Sequence, residues 1–385
     1  MDKREPSKQD CCSPPEKIPA EAPSCCQPGS TPDAEFPDMD SPWIIGSVNT
    51  PVGNVPIVGT KLCFADNLGM WKARWGINRN RYSVAPGLYA VGNPTQDSPV
   101  LVSANYKLSF DHLRSRMDGR SAWILVLDTR GINVWCAAGK GTFGTDEIVK
   151  KVSLSGLKDI VSHRRLIVPQ LGATGVAAHD VKLRCGFNVV YGPVRANDLP
   201  EFIDAGFSAT PEMRRVRFNF IDRVVLIPVE LVSGMKYAVL IALFFFLSAG
   251  LGPGIYSTSR AVSDGAWAVL LILGAFITGA VLTPALLPWL PGRAFSIKGL
   301  WIGLICAIVA SYYMRGSLNA SGWLLTSIAW GFIFVAITSM VALNFTGAST
   351  YTSLSGVRRE MRAAIPLISL SCVSGILLWI VSRFI

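Results

Sequence analysis

Two hydrophobic patterns follow one another along the chain. Up to about residue 230, short apolar runs alternate with amphipathic stretches and turn residues. The runs Val100–Ala104, Trp123–Leu127, Leu166–Val168, Asn188–Tyr191 and Val224–Ile227 predict strands, because brief continuous apolar segments bounded by breakers suit a sheet covered on both faces. Between them, Tyr106–Met117, Asp146–Val152, Thr174–Arg184 and Asp198–Ala205 carry helical spacing. Strand and helix in alternation predict βαβ units, a mostly parallel sheet and right-handed connections. The expected fold of residues 45–234 is therefore α/β, doubly wound and Rossmann-like.

After Met235 the pattern becomes a succession of long apolar segments, near Met235–Tyr256, Ala266–Leu287, Leu300–Met314, Trp323–Leu343 and Ala364–Ile385. Most approach the roughly 20 residues that a bilayer-crossing helix needs. Residues 235–385 are thus expected to form an all-α, five-helix transmembrane domain. Trp289, Trp301, Tyr312, Tyr313, Trp323 and Trp379 sit near segment ends, as interfacial aromatics do. The segment interiors hold almost no ionisable residues, which points to anchoring and docking rather than ion-coupled transport. Gly274, Gly279, Pro284 and Gly303 read as packing or kink positions.

The formal charge of +10 changes meaning in this light. Arg214, Arg215, Arg217 and Arg223 precede the first apolar segment, and Arg358, Arg359 and Arg362 precede the last. Such placement follows the positive-inside rule better than it suits nucleic acid. It puts the α/β domain in the cytoplasm, the C-terminus outside, and the chain as a multi-pass protein of the cytoplasmic membrane.

Residues 1–44 differ from both parts. They are rich in Pro, Ser and charged residues, show no apolar signal-peptide core, and are expected to be a disordered tail. Two vicinal pairs, Cys11-Cys12 and Cys25-Cys26, could capture a soft ion such as Hg(II), or be thiols of no specific use. The nine cysteines are too irregularly spaced for a disulfide framework, and Cys306 and Cys372 fall inside apolar segments.

The chemistry concentrates around Cys136. The buried run Ala122–Leu127 is broken by Asp128-Thr-Arg-Gly131, after which Asn133-Val-Trp-Cys-Ala-Ala-Gly-Lys140 forms a short helical segment. Asn133 can cap it, and Gly139 and Gly141 can end it. Cys136 then stands at the carboxyl edge of the sheet, where open α/β folds bind ligands. Lys140 is its i,i+4 neighbour. Three further loops follow strands at the same edge, carrying Ser103 with Asn105, Gln170 with Gly172, Ala173 and Thr174, and Gly192 with Pro193. Gly139-Lys-Gly-Thr142 lacks the spacing of a phosphate-binding loop.

The octapeptide Asn133–Lys140 resembles the corrinoid-binding signature of the membrane proteins that methylate mercury in anaerobic microbes. That family is in turn related to the large subunit of the corrinoid iron–sulfur protein of the acetyl-CoA pathway. Ser98–Asp111, Val168–Gly175 and Tyr191–Glu201 resemble other segments of the same family. The resemblance implies a cobalamin-type corrinoid cofactor, with Cys136 as catalytic residue and lower axial cobalt ligand. It implies that Asn133, Val134, Trp135, Ala137, Ala138, Gly139 and Lys140, with the three loops above, surround the ring. Trp135 could equally pack in the core. It implies methyl transfer from a methyltetrahydrofolate-derived donor, through methyl-Co(III), to Hg(II), giving methylmercury. A ferredoxin-like partner with two [4Fe–4S] clusters would supply electrons, since this chain carries no four-cysteine cluster motif. His112, His163 and His179 lack the Asp-x-His-x-x-Gly context of histidine-ligated corrinoid domains and read as surface or structural residues. Three rivals remain: a methyl carrier with a carbon acceptor, a non-catalytic membrane sensor or transporter, and a thiol enzyme that would need a base near Cys136.

Overall fold

The computed structural model describes residues 37, 39–315, 320–346 and 354–384. Cys11, Cys12, Cys25 and Cys26 lie outside the described residues. Seven strands form one sheet: β1 (Ile44–Thr50), β2 (Gly53–Val58), β3 (Gly87–Val91), β4 (Val100–Ala104), β5 (Ala122–Leu127), β6 (Arg165–Val168) and β7 (Asn188–Tyr191). Their spatial order is β1-β2-β3-β5-β4-β6-β7. Around them lie α1 (Phe64–Arg74), α2 (Lys107–Ser115), α3 (Val134–Lys140), α4 (Thr145–Leu154), α5 (Leu157–Ile160), α6 (Ala178–Cys185), α7 (Leu199–Asp204) and α8 (Pro211–Arg214).

Strands β3, β4 and β5 are buried along their whole length. Alternate side chains feed two cores. Leu88, Val102 and Leu125 meet Ala137, Ile148, Val152 and Val181 of α3, α4 and α6 on one face. Tyr89, Leu101 and Ile124 meet Phe110 of α2 and Phe202 of α7 on the other. Helices thus cover both faces. The path β4-α2-β5 moves one way along the sheet and β5-α3-α4-α5-β6 moves back across β4, so right-handed crossovers place their helices on opposite faces.

The sheet is mostly parallel, in four of its six pairings including β2 with β3, and mixed through the other two. β4 pairs in parallel with β5 and β6, and β6 with β7, but β3 runs antiparallel to β5, and β1 antiparallel to β2. The apolar runs did not reveal β1, β2 and β3: β1 alternates between half-buried and exposed positions around Gly46, β2 carries Pro56, and β3 is a short run opened by Gly87. The expected strand Val224–Ile227 is also corrected. Val224 ends α9 (Phe220–Val224) and Ile227 begins α10 (Ile227–Ser248), with Pro228 in the first turn, where its missing N–H costs nothing. A four-residue apolar run cannot by itself separate strand from helix.

Four more long helices follow: α11 (Thr258–Leu286), α12 (Phe295–Met314), α13 (Ala320–Phe345) and α14 (Leu354–Val381). In all, five helices among the described residues are long and apolar enough to cross a membrane. The first helix stops at Ser248, and Leu251–Tyr256 forms a two-stranded hairpin instead. The third is a full 20 residues. Small residues set the spacing: Gly279 lies against Thr338 and Val341, and Gly303 against Val335, so α11 and α12 both approach α13 closely. Phe245, Trp330 and Trp379 form an aromatic cluster with centroids 4.8–6.4 Å apart.

One buried polar cluster ties α1 to α2. Lys107 Nζ lies 2.7 Å from both Asp66 and Asp111, and Arg114 lies 2.8 Å from both carboxylates. Arg114 also donates to the Gly59 carbonyl at 2.5 Å. Burial alone would raise the Asp66 carboxyl; the bonds from Lys107, the Cys63 amide and Arg114 overcome it and hold the group well below the usual carboxylate range. Removing one member leaves a buried charge uncompensated, so Asp111→Ala should destabilise the sheet region by about 3–5 kcal/mol in urea unfolding. Because the folded-state pKa of Asp66 is depressed, its contribution is fully present above the ordinary carboxylate pKa of about 3.9 and is lost as pH falls through and below it. Urea midpoints measured from pH 7 downward should therefore drop chiefly below about pH 4, and Asp66→Asn should flatten that drop.

Candidate functional site

β5 delivers the central segment. Its buried run ends at Leu127, and Asn105, which follows β4, then pins the turn that begins α3. The Asn105 side-chain oxygen accepts from the Thr129 amide (3.1 Å), the Thr129 hydroxyl (2.8 Å) and the Gly131 amide (3.0 Å). Asn133 caps α3 as its sequence suggests: Oδ1 accepts from the Cys136 amide at 2.9 Å. Gly141 closes the helix with φ 81°, a left-handed conformation that favours glycine. Gly139 lies inside the helix rather than ending it.

Cys136 is half-buried and free, on the first turn of α3. It lines a cleft of about 690 Å³ between the carboxyl edge of the sheet and residues 216–229. Of the residues singled out in the sequence, Ser103, Asn133, Val134, Trp135, Cys136, Gly192 and Pro193 line this cleft together. Asn105, Ala137, Ala138, Gly139, Lys140, Gln170, Gly172, Ala173 and Thr174 do not line it. Ala137 and Ala138 are in the core beneath, and Gly139 and Lys140 are exposed on the far turn. The 170–175 loop backs α3: Gly172 packs on the Phe143 ring, and a Cβ at Gly175 would collide with the Phe143 carbonyl oxygen. Small residues in this loop serve close backing of the cysteine helix.

The sequence reading missed much of the cleft. Arg74 and Arg79 enter from α1 and the turn after it, and His112 from α2. Burial pushes the His112 imidazole below its ordinary pKa, and the nearby Arg74 and Arg116 cations add to this. His112 is half-buried and forms part of the cleft wall. Phe218, Ile221, Asp222, Val225, Leu226 and Val229 form a roof. Arg195 faces it and pairs with Asp222 at 2.6 Å. The arginine next to Asp222 turns the other way: Arg223 is buried and donates to the Pro284 carbonyl at 2.8 Å and the Phe218 carbonyl at 2.9 Å. It therefore caps the end of α11 rather than standing in a free basic flank. Adjacent opposite charges in the sequence were the available signal for this latch.

Three buried polar atoms at or beside the site lack hydrogen-bond partners among the described residues: Arg74 Nε, the Tyr106 hydroxyl and Gln170 Oε1. Burial raises the Tyr106 phenol above its usual pKa; Arg79 and Arg74 pull it down, and the charge of a Cys136 thiolate pushes it further up. Tyr106 thus lies within electrostatic reach of Cys136. Among the described residues no group of three or more His, Cys, Asp or Glu could hold a metal ion. The cleft offers a soft metal one thiol donor, Cys136.

A family model described as the CO dehydrogenase/acetyl-CoA synthase delta subunit matches residues 76–203. Those residues contain β3 to β7 and Cys136; β1, β2 and the five long helices lie outside the match. Over 128 residues the chain is 31% identical to the acetyl-CoA decarbonylase/synthase complex subunit gamma of Methanopyrus kandleri, covering 33% of this chain and 27% of that protein. The corresponding subunit of Methanosarcina acetivorans is 33% identical over 130 residues, covering 33% and 27%. That of Archaeoglobus fulgidus is 27% identical over 128 residues, again 33% and 27%. The chain spans about a quarter of the length of these relatives.

The cap is the local determinant of where the thiol points. Replacing Asn133 with Ala should cost about 1 kcal/mol and speed amide hydrogen exchange at Cys136 and its neighbours in α3. Exchange there matching the wild-type rate would show that the cap does not hold the turn.

Proposed function

We propose that this chain is a membrane-embedded corrinoid protein that transfers methyl groups, with Cys136 as the protein ligand to cobalt and Hg(II) as the acceptor. The observation that carries the reading is a single free thiol, capped into position, on the wall of a sheet-edge cleft within the segment similar to acetyl-CoA-pathway subunits. Five long apolar helices support a multi-pass membrane protein.

The residues present fit such a group. A corrinoid held there would supply methyl-transfer chemistry at cobalt, and a thiolate donor from the protein would favour release of methyl with both bonding electrons, the form an electrophile such as Hg(II) accepts. Cys136 provides that donor, and Asn133 fixes the turn that presents it. Trp135, Val134, Gly192 and Pro193 offer an apolar and small surface for a flat ring. Phe218, Ile221, Val225, Leu226 and Val229 give the cleft an apolar wall on the side of the long helices. A methyltetrahydrofolate-derived donor and a ferredoxin-like partner with two [4Fe–4S] clusters complete the proposed cycle from outside this chain.

The relatives favour a second reading of the acceptor. They are named as subunits of an acetyl-CoA decarbonylase/synthase complex, so a carbon acceptor in one-carbon metabolism is the alternative fate of the methyl group.

The test is direct. The detergent-solubilised chain should bind cobalamin with a thiolate-type visible spectrum that Cys136→Ala loses. Methylmercury formation from methylated cobalamin and HgCl2 should fall more than about 100-fold in the same variant, beyond the effect of losing an outer hydrogen-bond partner of a metal ligand. Identical spectra in the two proteins would remove Cys136 from the cobalt. A thiolate spectrum without methylmercury would leave the carbon acceptor as the better reading.

A further inference from the structure

Helix α1 is oriented against the usual rule for a helix on a water-facing surface. Its charged Asp66 is 6% exposed and Ala73 is 1% exposed, both turned inward. Phe64 (81% exposed), Leu68 (39%), Trp71 (69%) and Trp75 (48%) form the outer stripe. Their spacing of four, three and four residues places them on one face of a helix. A helix free to roll would bury the aromatics and expose the carboxylate. It is held from rolling by the ion cluster: Asp66 accepts from Lys107 at 2.7 Å and from Arg114 at 2.8 Å. On the same inner face Gly69 sits directly against the Tyr82 ring, and a side chain there would collide with it. The polar contacts of α1 lie inside, and its apolar contacts are left outside.

The position of this stripe indicates what covers it. The chain leaves α1 at Trp75-Gly76-Ile77, where a Cβ on Gly76 would lie 3.7 Å from Val229 and 3.8 Å from Val232. Both valines belong to the first two turns of α10, a 22-residue helix. The same stretch of α10 carries the charged Glu230 and Lys236, which hydrocarbon disfavours, so those turns lie at the level of the headgroups. Trp75 (48%) and Ile77 (52%) therefore continue outward from the exposed flank of α10 at Val232 (44%). Tryptophan favours this depth, where its ring is in acyl chain and its N–H reaches water. The exposed Lys72 lies on the same outer side and suits anionic headgroups.

We propose that α1 is an interfacial helix, lying in the headgroup region of the bilayer with Phe64, Leu68, Trp71 and Trp75 in contact with lipid. The inference rests on the reading of α10 as a membrane span. The buried cluster around Lys107 fixes the roll of the helix so that the stripe faces the lipid, and the stripe then seats the sheet on the membrane beside its first span. The cleft, which Arg74 and Arg79 help to line, is set close to the membrane surface as a consequence.

The test is photocrosslinking of the full chain in nanodiscs of phosphatidylethanolamine and phosphatidylglycerol. A benzophenone amino acid is placed singly at Leu68, Trp71, Leu183 or Leu240, and adducts are identified by mass spectrometry. Leu240, exposed on α10, reports the span itself; Leu183, exposed on α6, reports water. Lipid adducts at Leu68 and Trp71 comparable in yield with those at Leu240, and their loss at Leu183, are expected. Lipid adducts at Leu240 but none at Leu68 and Trp71 overturn the proposal and leave the span intact. Adducts at these two positions to protein, whether a partner or another stretch of this chain, overturn it in favour of a protein-docking face. No lipid adduct at Leu240 overturns the membrane span and the proposal with it.

Discussion

One turn of helix, α9, joins the two parts of the molecule, and its adjacent charges point opposite ways. Asp222 reaches back to Arg195 at the carboxyl edge of the sheet, while Arg223 is buried against the terminal carbonyls of α11. The sheet edge and the long helices are thereby held face to face, and the cleft exists because they are. The two contacts differ in strength. Arg195 and Asp222 are each about a third exposed, so their pair is screened by water and contributes little to stability. Arg223 is 4% exposed and donates to the Pro284 and Ala285 carbonyls in the last turn of α11, where intrahelical donors run out. The bundle side of the joint is therefore the firmer of the two.

Beneath the roof of the cleft the site depends on local order more than on a cluster of charges. A run of six buried residues in β5 fixes the direction of the chain, Asn105 holds the following turn, and Asn133 caps the helix that carries Cys136. Each asparagine acts through a side-chain amide placed where the backbone leaves regular structure. The proposed cobalt ligand is thus positioned by hydrogen bonds whose donors and acceptors are all within the same chain segment or the neighbouring loop. That is consistent with a ligand that must keep one geometry while the metal it holds changes state.

Much of this was legible in the sequence because the signals were local. The strands around Cys136, the cap at Asn133, the glycine stop at Gly141 and the long apolar helices all follow from short patterns. What stayed hidden came from contacts distant in sequence. Arg74, Arg79 and His112 reach the cleft only after α1 and α2 pack, and residues 216–229 read as a basic flank before they appear as a roof. Asn105 had the right loop but a structural task. Val224–Ile227 is apolar on a strand scale, yet it joins two helices, since length and flanks did not distinguish the alternatives. The exposed stripe of α1 was invisible for a related reason: its spacing is that of any core-facing helix, and only the buried Asp66 shows that the stripe faces outward.

The central claim is that Cys136 binds the cobalt of a corrinoid in the sheet-edge cleft. X-ray absorption at the cobalt edge of the full chain loaded with cobalamin measures this most directly. The account requires one sulfur scatterer at bonding distance, and its disappearance in Cys136→Ala. An axial shell of nitrogen or oxygen alone in the wild-type protein, or a sulfur that persists in the variant, would contradict it.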